Sequence, residues 1–156
     1  MIAQLTASFT INSEEKGAIR IYGYRNTEIA KGWGFGISGD LRITRRLYTY
    51  ARFGQNLDSL ANQFSVKNSW SGGMQLRNYQ LWESASISTG LAYGNSQGFS
   101  TVEGLSMPAE RILEAYVRFN IKQAFFISPH YQDIWNGQGL GGEQLNMIGV
   151  RTRVAF

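Results

Sequence analysis

Alternation with a period of two dominates this chain. From Arg111 to Ile121, the residues Leu113, Ala115, Val117, Phe119 and Ile121 alternate with Glu114, Tyr116, Arg118 and Asn120. Successive side chains of a strand point to opposite faces, so this register collects the apolar residues on one side. A helix would set Glu114 and Arg118 beside Leu113 and Val117 and leave no clean apolar face. The last segment repeats the pattern: Ile148, Val150, Thr152, Val154 and Phe156 oppose Gly149, Arg151, Arg153 and Ala155. Leu47, Thr49, Ala51 and Phe53 oppose Tyr48, Tyr50, Arg52 and Gly54, and Trp33, Phe35, Ile37, Leu41 and Ile43 oppose Gly34, Gly36, Ser38, Asp40 and Arg42. Weaker alternation marks Ala3–Ile11, Ala18–Tyr24, Trp70–Arg77, Ala85–Tyr93 and Ala124–Ile134, which makes nine candidate strands.

Composition agrees. Eighteen Gly, eight Tyr, nine Phe and four Trp against two Pro favour β-structure. No run approaches the roughly 18 apolar residues of a membrane-spanning helix, which excludes helical membrane proteins. The 43% hydrophobic content is enough for a core in a chain of one domain's length. With no Cys, disulfide scaffolds, thiolate zinc sites and cysteine nucleophiles are excluded. The net charge of +4 leaves anionic partners open. Because the Arg residues are spread over many strands with no dense patch, a nucleic-acid interface is not expected.

The connections sort by length. Short polar turns are expected at Asn12–Gly17, Thr44–Arg46, Asn78–Glu83 and Lys122–Gln123, and longer loops at Arg25–Gly32, Gln55–Ser69, Gly94–Glu110 and Trp135–Asn146. Short and long connections alternate, so an up-and-down antiparallel sheet carries its short turns at one end and its long loops at the other. That is the organisation of outer-membrane barrels, in which apolar side chains meet lipid and polar ones line the lumen. Trp33, Trp70, Tyr93, Tyr131, Trp135 and Phe156 fall at or near strand ends, where an interfacial aromatic girdle sits. The polar face carries Arg20, Arg42, Arg52, Arg77, Arg118, Arg151 and Arg153, while Lys16, Lys31, Lys67 and Lys122 are expected in turns or loops. Fixed guanidinium groups suit a water-filled pore that meets polar solutes.

The expected fold is therefore an all-β, antiparallel, up-and-down transmembrane β-barrel. If the short turns are periplasmic and Phe156 ends there, nine strands place residue 1 on the opposite side. Complete single-chain bacterial barrels have even strand counts. The chain accordingly reads as the C-terminal part, residues 1–156, of a larger barrel whose earlier strands are missing. The N-terminal Met1-Ile2-Ala3-Gln4-Leu5-Thr6 also lacks a secretory-signal pattern. The alternative, if one weak strand is miscounted, is a complete eight-stranded outer-membrane barrel with a structural or adhesion role. A soluble barrel that binds a ligand inside is a third reading.

The residues Gly32-Trp33-Gly34-Phe35-Gly36-Ile37-Ser38-Gly39-Asp40, then Tyr50-Ala51-Arg52-Phe53-Gly54, then Trp70-Ser71-Gly72-Gly73-Met74-Gln75 form an ordered series. It continues through Leu113-Glu114-Ala115-Tyr116-Val117-Arg118-Phe119, Ile127-Ser128-Pro129-His130-Tyr131-Gln132-Asp133-Ile134 and Gly149-Val150-Arg151 to Phe156. Together these resemble the C-terminal half of OprB-type carbohydrate-selective porins, from about residue 18 onward. The resemblance implies a monomeric barrel of about sixteen strands in the bacterial outer membrane that lets sugars diffuse into the periplasm. It also implies that part of the pore constriction comes from strands this chain lacks. Two departures stand out: His130 replaces an expected acidic residue, and Trp135–Asn146 lacks an Asn-Pro.

On this reading the solute path is lined by Arg20, Tyr22, Tyr24, Asp40, Tyr48, Tyr50, Arg52, Glu114, Tyr116, Arg118, His130 and Arg151. Aromatic faces stack on the apolar face of a pyranose, and guanidinium forks donate to its hydroxyls. The plainer reading of the same residues is a wall network in which Arg pairs with Asp40 or Glu114 and never touches sugar. Transported carbohydrate and outer-membrane lipid are the expected partners, with no cofactor, no metal and no enzymatic activity. His130 is the one histidine, and its same-face neighbour Ser128 lacks the third, orienting group of a triad. Gly32–Gly36 and Gly139–Gly142 lack phosphate-loop spacing. The carboxylates Glu14, Glu15, Asp58, Glu83, Glu103, Glu110, Asp133 and Glu143 are expected mostly in solvated turns or loops.

Overall fold

A computed structural model describes residues 1–11, 15–27, 31–57, 66–98, 108–121, 125–137, 142 and 144–154. They form one sheet of nine antiparallel strands in sequence order: β1 (Ile2–Thr10), β2 (Lys16–Asn26), β3 (Gly32–Arg42), β4 (Leu47–Asn56), β5 (Val66–Trp82), β6 (Ala85–Gly98), β7 (Glu110–Ile121), β8 (Phe125–Trp135) and β9 (Leu145–Val154). The expected nine-stranded up-and-down order is observed. Among the described residues there is no helix, and therefore none long and apolar enough to cross a membrane. β1 and β9 each pair with a single neighbour among these residues.

Register fixes the faces. Arg20 pairs with Ser38, Ser38 with Arg52 and Arg52 with Ser71, whereas Ile21 pairs with Ile37, Ile37 with Phe53 and Phe53 with Trp70. Residues directly opposite one another point to the same side, so this polar row and this apolar row run side by side from β2 to β5, whereas the first continues into Gly94 and Ile112 and the second into Asn95 and Arg111. On the polar side the sheet is hollowed: one cavity of about 900 Å³ runs from Ser8 and Thr10 of β1 to Glu114 and Tyr116 of β7. A single cavity reaching seven strands requires the sheet to curl with its polar face concave. Glycines aid the curl, because Gly34, Gly36, Gly54, Gly73, Gly90 and Gly149 all occupy polar-face positions. Removing side chains from the inside of a bend relieves the crowding that curvature causes.

The hydrophobic content does not form the core that composition allowed. Among the described residues the buried apolar side chains are Ala18 and Ala85 alone. The large apolar residues spread over the convex face instead, with Ile21 53%, Phe35 43%, Ile37 44%, Trp70 47% and Val150 60% exposed. A single curled sheet has no second layer against which to bury one face, so its apolar residues stay outside. On β3 the convex positions run from Trp33 to Leu41, with Ile43 continuing just past the strand. At ~3.3 Å per residue and a tilt of about 40°, this span rises roughly 25 Å, the height of the apolar band of an outer-membrane barrel.

Strand ends differ from expectation, mostly by being longer. β5 does not stop at Arg77 but continues to Trp82, and β6 continues past Tyr93 to Gly98. In β5 the pair Arg77 and Asn78 stands opposite Ser88 alone, a β-bulge between the pairs Leu76–Thr89 and Tyr79–Ile87. Asn78 takes φ 53°, and its N–H donates to Ser88 Oγ at 3.1 Å. The turn-like residues 78–82 are thus absorbed into the ladder, and the hairpin turn shrinks to 83–84. The remaining short connections span 11–15, 43–46 and 122–124, and those at the other end span 27–31, 57–65, 99–109 and 136–144. Lengths segregate by end in the last three pairs, whereas 11–15 and 27–31 are equal.

Candidate functional site: the concave polar face

All twelve expected path residues share the concave face. Tyr22, Gly36 and Gly54 form one cross-strand row, and Arg20, Ser38, Arg52 and Ser71 the next. Asp40 lies opposite Tyr50, and Tyr48 opposite Gln75. On the far side Tyr116 lies opposite His130 and Glu114 opposite Gln132, while Arg151 lies opposite Ser128. They do not gather at a point. They form a curved wall in which Arg20, Tyr22 and Tyr24 of β2 stand several strands from Arg118, His130 and Arg151 of β7–β9.

The tyrosines lie flat against this wall. A Cβ placed on Gly34 would fall inside the Tyr24 ring, one on Gly36 inside the Tyr22 ring, and one on Gly90 inside the Tyr116 ring. Each ring therefore covers the glycine of the next strand, and its hydroxyl reaches one strand further. The Tyr24 hydroxyl donates to Asn56 Oδ1 of β4, and Gln75 Nε2 of β5 donates to the Tyr116 hydroxyl. His130 covers Gly149 of β9 in the same manner. Rings held flat keep the hollow open and turn an aromatic face towards it.

The Arg residues divide into paired and stacked groups. Arg20 donates to Asp40 Oδ1, and Arg151 Nη2 lies 3.5 Å from Glu114 Oε1. Those two contacts are the wall network of the plainer sequence reading. Other guanidinium groups sit over tyrosine rings: Arg52 5.1 Å from the Tyr50 centroid, Arg77 4.1 Å from Tyr48, and Arg118 5.8 Å from Tyr116 and 4.7 Å from Phe126. Cation–π contact of this kind holds a charge at the wall without neutralising it. Arg118 Nε and His130 Nδ1 are buried and have no hydrogen-bond partner.

Because the Arg20 and Asp40 side chains are 36% and 50% exposed, their pairing contributes little to folding. Asp40→Asn is expected to change stability by at most about 1 kcal/mol. A urea midpoint from Trp fluorescence checks this, and a large drop would mean the pair is structural.

Several placements correct the sequence expectations. Lys16 opens β2, facing the hollow, and Lys67 lies within β5, so neither is a loop residue; Lys31 precedes β3, and Lys122 lies outside the described residues. Glu110 opens β7. Asp133 is inside β8, 7% exposed and on the convex side, where it accepts from Gln144 Nε2 at 2.7 and 2.8 Å. A carboxylate at this position is tolerated because the amide donor satisfies both oxygens near the rim. Glu14, Asp58, Glu103, Glu143, Gly139–Gly141 and Phe156 lie outside the described residues. Trp33 and Trp135 sit at strand ends, but Trp70 and Tyr93 lie inside the lengthened β5 and β6, packed with ring centroids 5.3 Å apart. Gln75 and Asn56 are wall residues that the sequence reading missed. Asn56 falls where a loop was expected and extends the concave row of β4, and Gln75 shares the parity of Arg77 in a weakly alternating segment. Among the described residues no cluster of His, Asp or Glu could hold a metal ion.

No family model, no curated protein and no solved structure matches the chain.

Proposed function

We propose that the protein is part of an outer-membrane porin that lets carbohydrates and other small solutes diffuse passively. The observation that carries this reading is the inverted distribution of side chains: a curled sheet with almost no buried apolar residue among the described residues, large apolar side chains on its convex face, and a hollow whose polar lining is rich in Arg and Tyr. A soluble barrel turns its apolar face inward, whereas a pore-forming membrane barrel turns it to lipid. Flat Tyr rings beside guanidinium groups favour sugars among polar solutes, because they offer stacking and hydroxyl donors in weak, repeated contacts. The OprB-type resemblance points the same way and supplies the partner of the open sheet edges, namely further strands of the same barrel. Nine strands with singly paired β1 and β9 do not suit a closed eight-stranded cylinder.

The test is reconstitution of the full-length protein. In planar bilayers it is expected to give discrete conductance steps, and in liposomes to speed swelling in neutral monosaccharides over protein-free controls. A protein that stays monomeric in detergent-free buffer, or that leaves both bilayers and liposomes sealed, overturns the porin reading.

A further inference from the structure

We propose that the hollow selects for anions, and that its preferred solutes are hydroxylated carboxylates of the sugar-acid class over neutral and cationic sugars. This rests on the porin reading and deepens it.

The carboxylates in the strands of the concave face are, among the described residues, Asp40, Glu110 and Glu114. Asp40 is engaged by Arg20 and Glu114 faces Arg151, while Glu110 stands beside Ser96 at the long-loop rim. Lys16, Arg42, Arg52, Arg77, Arg118 and Arg153 share this face with no further strand carboxylate to balance them. The cavity itself is lined by Lys16, Arg42, Arg52 and Arg77 against Asp40 and Glu114. The sum is a positive concave surface, although the formal charge of the whole chain is only +4. A concave wall of one sign concentrates its field on the enclosed water and raises the local concentration of counter-ions.

Geometry narrows the anion. Arg52 lies over the Tyr50 ring and Arg77 over the Tyr48 ring, the Arg77 Nε–H donates to Gln75 Oε1, and all five residues line the cavity. The terminal Nη groups of a guanidinium remain to bond in its own plane, the geometry that takes a carboxylate in two parallel hydrogen bonds. Tyr116, which lies flat over Gly90 and lines the same cavity, offers surface for a carbon skeleton bearing hydroxyls. Chloride can use only the charge, whereas an aldonate such as gluconate can use both.

The experiment measures reversal potentials of the reconstituted full-length protein under a KCl gradient, then with gluconate replacing chloride. At roughly 0.1 M salt the expected chloride-to-potassium permeability ratio is about five, falling towards one near 1 M, where the screening length shrinks to ~3 Å. Gluconate is expected to permeate at a rate closer to chloride than its size alone allows. The double variant Arg52→Gln with Arg77→Gln should reduce the low-salt ratio at least two-fold while the channels still open. Channels that conduct and pass glucose but show a ratio of one or below overturn the anion inference and leave the porin reading standing. An unchanged ratio in the double variant overturns its assignment to these two residues. A protein that opens no channel overturns both readings.

Discussion

Ile37→Arg is expected to destabilise the proposed membrane-inserted state by about 2–4 kcal/mol, while Gln4→Arg changes stability by less than about 0.5 kcal/mol. Ile37 lies at the centre of the convex row on β3, between Ile21 and Phe53 on the neighbouring strands, and is 44% exposed. In the proposed porin the convex face meets lipid, so a guanidinium there would face hydrocarbon, at a cost that is largest at the midplane and falls to ~0–1 kcal/mol near the interfaces. Gln4 lies on the concave face of β1 opposite Tyr22, and replacing it breaks an exposed hydrogen bond to Thr6 Oγ1. The same charge added on opposite sides of one sheet thus separates lipid exposure from a general sensitivity to substitution. Equilibrium urea titration of protein folded into lipid vesicles measures both variants. Equal small effects would mean that the convex face meets water, and the porin reading would fall with it.

The sequence made the nine strands and the identity of their faces legible, and the reason is physical. Side-chain parity is local, so Leu113 to Ile121 or Trp33 to Leu41 declare a face without any knowledge of neighbours. Strand ends were less legible. Gly94, Asn95 and Ser96 have loop composition, yet they pair with Ser71, Trp70 and Ser69, because a ladder is held by backbone hydrogen bonds that any of these residues can make. Asn78 has turn composition and a positive φ, and the β-bulge uses both without ending the strand.

The contents of the concave wall were half legible. Arg–carboxylate pairing could be anticipated from residue types, but which Arg meets which acid depends on register across strands: Arg20 with Asp40 spans β2 and β3, while Glu114 with Arg151 spans β7 and β9. The placement of Tyr22, Tyr24 and Tyr116 over the glycine of an adjacent strand was invisible. In the sequence, Tyr116 and Gly90 are unrelated members of separate alternating runs. Only the pairing of Gly90 with Tyr116 on one side and Gln75 on the other brings ring, glycine and amide into one row.

That row gives the second large effect. Gly90→Val is expected to cost roughly 1–3 kcal/mol in the otherwise native protein and to stabilise by up to about 1 kcal/mol in a Tyr116→Ala background. Valine has the better strand propensity, by up to about 1 kcal/mol, so on local grounds alone the substitution should stabilise β6. The sign is decided by the ring. A Cβ at position 90 falls inside the Tyr116 side chain, so the ring must swing off the wall and Gln75 Nε2 loses its acceptor. Overpacking contributes about 1–3 kcal/mol and the broken hydrogen bond about 1 kcal/mol. With Ala at position 116 nothing covers Gly90, and strand propensity is all that remains. The coupling between the two substitutions should be about 2–4 kcal/mol, at or just above the upper end for residues in contact. A double-mutant cycle from urea unfolding measures it, and additive effects would mean that Tyr116 does not rest on Gly90. The displaced ring also has a functional consequence, since Tyr116 lines the cavity. Swung inward it narrows the hollow, so Gly90→Val alone should lower single-channel conductance, and Tyr116→Ala added to it should restore the native value or exceed it.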